Sequence, residues 1–177
     1  MAALANFAGY QLVWLAVVSS AGAARPVLGI GAALAFVAIQ IAVSRTRVAD
    51  FGFVAVSIAC GFVVDGTLAH FGYVRYAANE AALPAPLWIL SLWAAFAMTL
   101  NHSLRWVLGR PFLAALLGLL GGPLAYAAAS RGFGAVALEP PTWSSLGSVG
   151  VGWALALALF ALVGERSRRA PQGEVPT

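Results

Sequence analysis

The stretch "TLNHSLRW", Thr99 to Trp106, gathers an amide, an imidazole, a hydroxyl and a guanidinium at the end of a long apolar run. Such a set can do acid–base chemistry at His102 while Arg105 holds a phosphate or carboxylate. It can equally tie helices together through hydrogen bonds, worth ~0.6 kcal/mol each on average inside a membrane. Asn6 and Gln11 supply further amides near the start of the chain, and Asp65 places a carboxyl inside another apolar run. The sequence has no HExxH, no histidine pair at ligand spacing, no Ser–His–acid set and no phosphate loop. With two histidines, and with Cys60 the single cysteine, neither a metal site nor a cofactor such as haem is expected, and no intrachain disulfide can form.

The elements that must position these groups follow from composition. Of 177 residues, 62% are hydrophobic and 9% charged, whereas soluble domains are about 45–50% apolar and about 25% charged. Mean hydropathy is +0.89. An α-helix needs about 20 apolar residues to cross ~30 Å of hydrocarbon. Six runs approach that length, at Leu4–Ser20, Val27–Val43, Phe51–Phe71, Pro86–Val107, Pro111–Ser130 and Ser145–Gly164. The expected fold class is therefore all-α: an integral membrane bundle of about six transmembrane helices over residues 1–164. A short basic tail over 165–177 is expected to be disordered. "SSAGAAR" ends like a signal-peptidase site, but the missing basic start and the polar Asn6 and Gln11 favour an uncleaved first helix. The basic residues flank helices, which suits lipid headgroups and argues against nucleic acid as a partner.

Depth along each helix sorts the polar residues. Counting ~1.5 Å per residue from the ends carrying more arginine, Asn6 lies ~3 Å deep, Gln11 ~10 Å, Asn101 ~9 Å and His102 ~7 Å, with Arg105 near the surface. These five form one candidate pocket. The first and fourth helices are expected to pack so that Asn6 and Gln11 reach the Asn101–His102 segment. Arg105, at i+4 and i+3 from these two, caps the cluster as a basic notch for a lipid phosphate. Asp65 lies ~21 Å deep, level with Trp93 and Tyr126 at ~21–22 Å, and the three form a second polar layer. An axial offset of ~13 Å argues against an Asp65–His102 dyad. Asp65 is expected to be protonated, to accept the Tyr126 hydroxyl or to face a wet crevice. Trp88, Trp93, Trp106, Trp143 and Trp153 read as interface anchors and packing groups. Gly118 and Gly122, with Ser57 and Gly61, form small-xxx-small pairs that suit packing within the bundle.

"NFAGYQLVW", "VVDGTLAHFG", "PLWILSLWAAFAMTLNHSLRW", "GGPLAY" and "PTW" occur in this order across nearly the whole chain. In these motifs the sequence resembles a family of bacterial inner-membrane proteins known as domain of unknown function 2878. The family-like polar and aromatic positions are Asn6, Gln11, Trp14, Asp65, Trp88, Trp93, Asn101, His102, Pro123 and Tyr126. The chain departs from the pattern after "GGPLAY", where "AAAS" stands in place of a glycine-containing stretch.

The resemblance implies a multi-pass protein of the bacterial inner (plasma) membrane with unassigned biochemistry. It also implies an association with enzymes that modify fatty-acyl chains, such as cyclopropane-type synthases. Two classes of function are therefore carried. One is a lipid-binding, accessory or scaffold component of acyl-chain metabolism, with membrane lipids and lipid-modifying enzymes as partners. The other is a small membrane enzyme or carrier acting on a lipid, with His102 as acid or base and Arg105 as anion holder.

Orientation follows from the arginines. One side of a six-span chain receives Arg45, Arg47, Arg105, Arg110, Arg166, Arg168 and Arg169, and the other only Arg25, Arg75 and Arg131. Basic loops stay inside, so both termini should be cytoplasmic. Reporter fusions at Arg47, Arg110 and the C-terminus should read cytoplasmic and those at Arg75 and Arg131 periplasmic. A C-terminal reporter active in the periplasm would refute this topology.

Overall fold

The protein is described by a computed structural model covering residues 2–79 and 83–169. Six helices run alternately up and down: α1 Ala2–Gly22, α2 Pro26–Val43, α3 Arg47–His70, α4 Leu87–Leu100, α5 Pro111–Phe133 and α6 Thr142–Arg169. We call the end where α1 begins and α4 finishes proximal, and the opposite end distal. Five of the helices, all but α4, are long and apolar enough to cross a membrane. Their outer faces carry exposed Leu, Val and Phe side chains such as Leu4, Val27, Phe112 and Leu155. The chain is an all-α, multi-pass membrane bundle. α6 continues past the expected Gly164 to Arg169, and the rest of the expected tail, 170–177, lies outside the described residues.

The fourth helix corrects the expected span of Pro86–Val107. α4 has 14 residues, which is ~21 Å of helix and too short for ~30 Å of hydrocarbon. Its sequence, LWILSLWAAFAMTL, is apolar on every face, and from Trp88 to Leu100 all but one residue are buried. A helix apolar all round belongs inside protein or lipid; here α1, α2 and α3 pack around it and Trp93 stacks on Trp153 of α6, with ring centroids 4.4 Å apart. After Leu100 the chain turns through 101–104 and enters a short 3-10 segment, Arg105–Val107. The buried hydroxyls of Ser91 and Thr99 bond back to the carbonyls of Trp88 and Phe96, so they need no partner outside α4.

Small residues set the closest approaches. Gly118 and Gly122 of α5 lie against Trp153 of α6, and a Cβ at Gly118 would stand 2.4 Å from the Trp153 carbonyl oxygen. Ser57 donates to the Trp93 carbonyl oxygen at 2.7 Å, and a Cβ on Gly61 would strike the Trp93 ring. Both small-xxx-small pairs thus serve packing inside the bundle.

At the distal end, β1 Val74–Tyr76 and β2 Val136–Leu138 pair antiparallel, with Tyr76 opposite Val136. Arg75 and Glu139 form an ion pair across this ribbon. With three residues each, these strands are too short for an alternating pattern to announce them in the sequence. The ribbon clips the α3–α4 connection to the α5–α6 connection and holds Tyr76 over the end of the bundle.

Gly118→Leu should destabilise the protein by about 1–3 kcal/mol or more, because it overpacks a contact with backbone that cannot yield. Gly132→Ala, where a Cβ meets no atom within 4 Å, should be neutral or slightly stabilising. Thermal unfolding of the two variants in detergent checks the contrast. Equal midpoints would mean that α5 and α6 do not meet at Gly118.

Candidate functional site

Asp65, Trp93 and Tyr126 come together, joined by a fourth group. Asp65, fully buried on α3, accepts the Trp93 indole N–H on Oδ2 at 2.6 Å. On Oδ1 it accepts the Tyr76 hydroxyl at 2.7 Å and the Tyr126 hydroxyl. An indole N–H can only donate, so Oδ2 must be an acceptor. The two phenols converge on the other oxygen, Oδ1. Burial, reinforced by the neighbouring Tyr126 and Asp65, pushes the Tyr76 phenol well above its ordinary value, so this hydroxyl keeps the proton that it donates. One side chain thereby links α3, α4, α5 and the distal ribbon. Sequence depth had aligned three of these groups; Tyr76 was missed because nothing in "YVRYA" announces a paired strand.

The proximal polar residues divide into two networks. In the first, Asn6 donates to Gln40 Oε1 at 3.0 Å and to the Met98 carbonyl oxygen at 3.3 Å, and accepts from the Ser103 hydroxyl at 2.7 Å. α1, α2 and the end of α4 are thus joined. In the second, Asn101 donates to Asp50 Oδ1 at 2.7 Å and to Thr46 Oγ1 at 3.0 Å. His102 Nε2 stands 3.2 Å from the same Asp50 oxygen, within ion-pair range but out of line for a hydrogen bond. Asp50 is fully buried, and its Oδ2 has no hydrogen-bond partner among the described residues.

Three expectations about the proximal pocket are corrected. Asn101 and His102 meet Asp50, not the first helix. Gln11 is exposed and joins neither network, because five residues of helix turn it ~140° from the Asn6 face. Arg105 is exposed on the 3-10 segment; the helix has already ended at Leu100, so its i+3 and i+4 spacing to His102 and Asn101 is not helical spacing. Asp50 was missed because the third helix was expected to start at Phe51, four residues after its first residue, Arg47. Its place in the first turn of α3, where a helix N-terminus favours acidic side chains, was the available signal.

A cleft of about 360 Å³ runs beside these networks, within the usual range of about 300–1,000 Å³ for ligand pockets. α1 forms one wall with Phe7, Tyr10, Gln11 and Trp14, and α5 the other with Leu117, Gly121, Gly122 and Ala125. Phe96, Thr99 and Trp153 stand between them. Exposed Phe7 and Gln11 on α1 and exposed Leu117 and Gly121 on α5 border its mouth. Toward the distal end it adjoins a smaller chamber of about 60 Å³ that shares Tyr10, Trp14, Ala125 and Trp153 with it and reaches Trp93 and Tyr126.

The family model for a protein of unknown function, DUF2878, matches residues 3–159, and the chain belongs to that family. No curated protein and no solved structure matches it.

Asp65→Leu orphans three donors, each costing about 1–3 kcal/mol when buried, and should lower stability by several kcal/mol. Asp65→Asn keeps an acceptor for Trp93 and offers its amide to the two phenol oxygens, so it should cost far less. Thermal unfolding in detergent separates the two. Asn as damaging as Leu would show that the site requires the carboxyl group itself.

Proposed function

We propose that this member of the family is a lipid-binding accessory component of the bacterial inner membrane, serving acyl-chain metabolism, with the α1–α5 cleft holding one acyl chain. The observation that carries this reading is the cleft. It is apolar along almost its whole length, lies between helices long enough to span, and opens on the faces of α1 and α5 that carry exposed Leu and Phe. Gln11, Thr99, the Tyr10 hydroxyl and the indole N–H groups of Trp14 and Trp153 are its polar side-chain groups, enough to orient a chain but too few to suggest chemistry on it. Membrane lipids are the natural occupants, and enzymes that modify acyl chains are the partners such a component would serve.

The Asp50–His102 contact favours a second reading, a small membrane enzyme or carrier. There a buried carboxylate would orient the imidazole, His102 would act as acid or base, and the exposed Arg105 would hold a lipid phosphate. His102→Gln with normal folding and lost function would favour this reading, and tolerance would favour the first. Lipid mass spectrometry of deletion and wild-type cells supplies the functional readout.

Gly121 offers a direct test of the cleft. A Cβ there meets no atom within 4 Å, so Gly121→Trp should fold normally and fill the mouth. Native mass spectrometry of protein released from membranes should find lipid retained on the wild-type chain and several-fold less on Gly121→Trp. Equal retention would remove the cleft as the lipid site.

A further inference from the structure

Six aromatic side chains, Tyr10, Trp14, Trp88, Trp93, Tyr126 and Trp153, line the small chamber beyond the cleft. Two of them, Trp93 and Tyr126, are hydrogen-bonded directly to the buried Asp65 carboxyl. We propose that this chamber binds the quaternary ammonium head of an amphiphile whose chain lies in the adjoining cleft. The proposal rests on the reading of the cleft as an acyl-chain site and adds the class of headgroup.

Three features single out that class. Aromatic rings attract cations through their electron-rich faces, most strongly where water is excluded, and aromatic cages are the usual receptors for quaternary ammonium groups. The carboxyl group of the fully buried Asp65 sits immediately behind two of the rings, and no arginine or histidine lines the chamber. Free acceptors are also scarce. The Trp88 N–H is bonded to the Ala77 carbonyl oxygen and the Trp93 N–H and Tyr126 O–H to Asp65. The Trp153 N–H is buried and has no hydrogen-bond partner among the described residues. A primary ammonium needs acceptors for three protons, and among the lining side chains only the Tyr10 and Tyr126 oxygens could serve. A quaternary ammonium needs none.

Polarity along the bundle agrees. Val18 and Val136 place the chamber toward the distal end, whereas Phe7, Leu104 and Val107 mark the proximal end of the cleft. A ligand with its head in the chamber and its chain in the cleft therefore has the orientation of a lipid in the distal leaflet.

The test is tryptophan fluorescence of the full chain in a neutral detergent, titrated with three amphiphiles of equal chain length: dodecyltrimethylammonium, dodecanol and dodecyl phosphate. The trimethylammonium compound should bind saturably and about tenfold more tightly than dodecanol. Asp65→Asn and, independently, Trp14→Leu should bring that ratio close to one. Trp14 makes no hydrogen bond to Asp65, so its replacement keeps the test open if the Asp65 variant fails to fold. Equal affinity of the wild-type chain for the cationic and neutral compounds, or preference for the phosphate, would overturn the ammonium site and leave the cleft intact. Saturable binding of none of the three would instead overturn the cleft reading, and the headgroup assignment with it.

Discussion

The burial of α4 is the constraint on which the rest of the structure depends. A helix of 14 residues cannot reach both faces of a membrane, so its ends must find hydrogen-bond partners in protein. Two fully buried carboxyl groups on α3 take donors from this segment, one just past its end and one at its middle. Asp50 takes the Asn101 amide, just past the last residue of α4. Asp65 takes the Trp93 N–H halfway along it and extends to α5 and the distal ribbon through two phenols. Ser57 lies between them on α3 and donates to the Trp93 carbonyl oxygen. The face of α3 that looks inward is thus polar at intervals, and each polar group answers one donor or acceptor of the enclosed helix or its turns. In a low-dielectric interior such pairings are costly to leave unmade, which fixes both the register of α4 and its rotation.

The cleft follows from how the remaining helices pair. α5 closes on α6 through Gly118 and Gly122 against Trp153, and α1 closes on α2 where Gly29 meets Val17 and Ser20. α1 and α5 approach each other at the distal end, where Gly22 abuts the Phe133 carbonyl oxygen. Below that contact they diverge around α4 and leave the cleft, with Asp65 and its aromatic partners at its inner end. The residues that lock α4 in place and the residues that line the chamber are in part the same.

Much of this was legible in the sequence because depth in a helix is countable. Asp65, Trp93 and Tyr126 lie on different helices far apart in the chain, yet a rise of ~1.5 Å per residue placed them at one level. The fourth helix misled for a physical reason. The polar "NHSLRW" that follows "LWILSLWAAFAMTL" reads as the polar end of the same helix, because no proline or glycine marks the break at Leu100. Rotation about the helix axis was also unread, so Gln11 was grouped with Asn6 at similar depth although the two face different surroundings. Asp50 was lost because α3 begins at Arg47, four residues before the expected Phe51. Tyr76 was lost because two three-residue strands carry too little pattern to be seen.

The central claim is that α4 is enclosed by protein while its neighbours face lipid. Carbene footprinting of the unmodified chain with a membrane-dissolved diazirine reagent tests this without any substitution. Peptides covering 88–100 should remain unlabelled while those covering the exposed faces of α1, α2, α5 and α6 take up label at Leu, Val and Phe positions. Labelling of 88–100 to the same extent as 111–133 would place α4 against lipid and contradict the account.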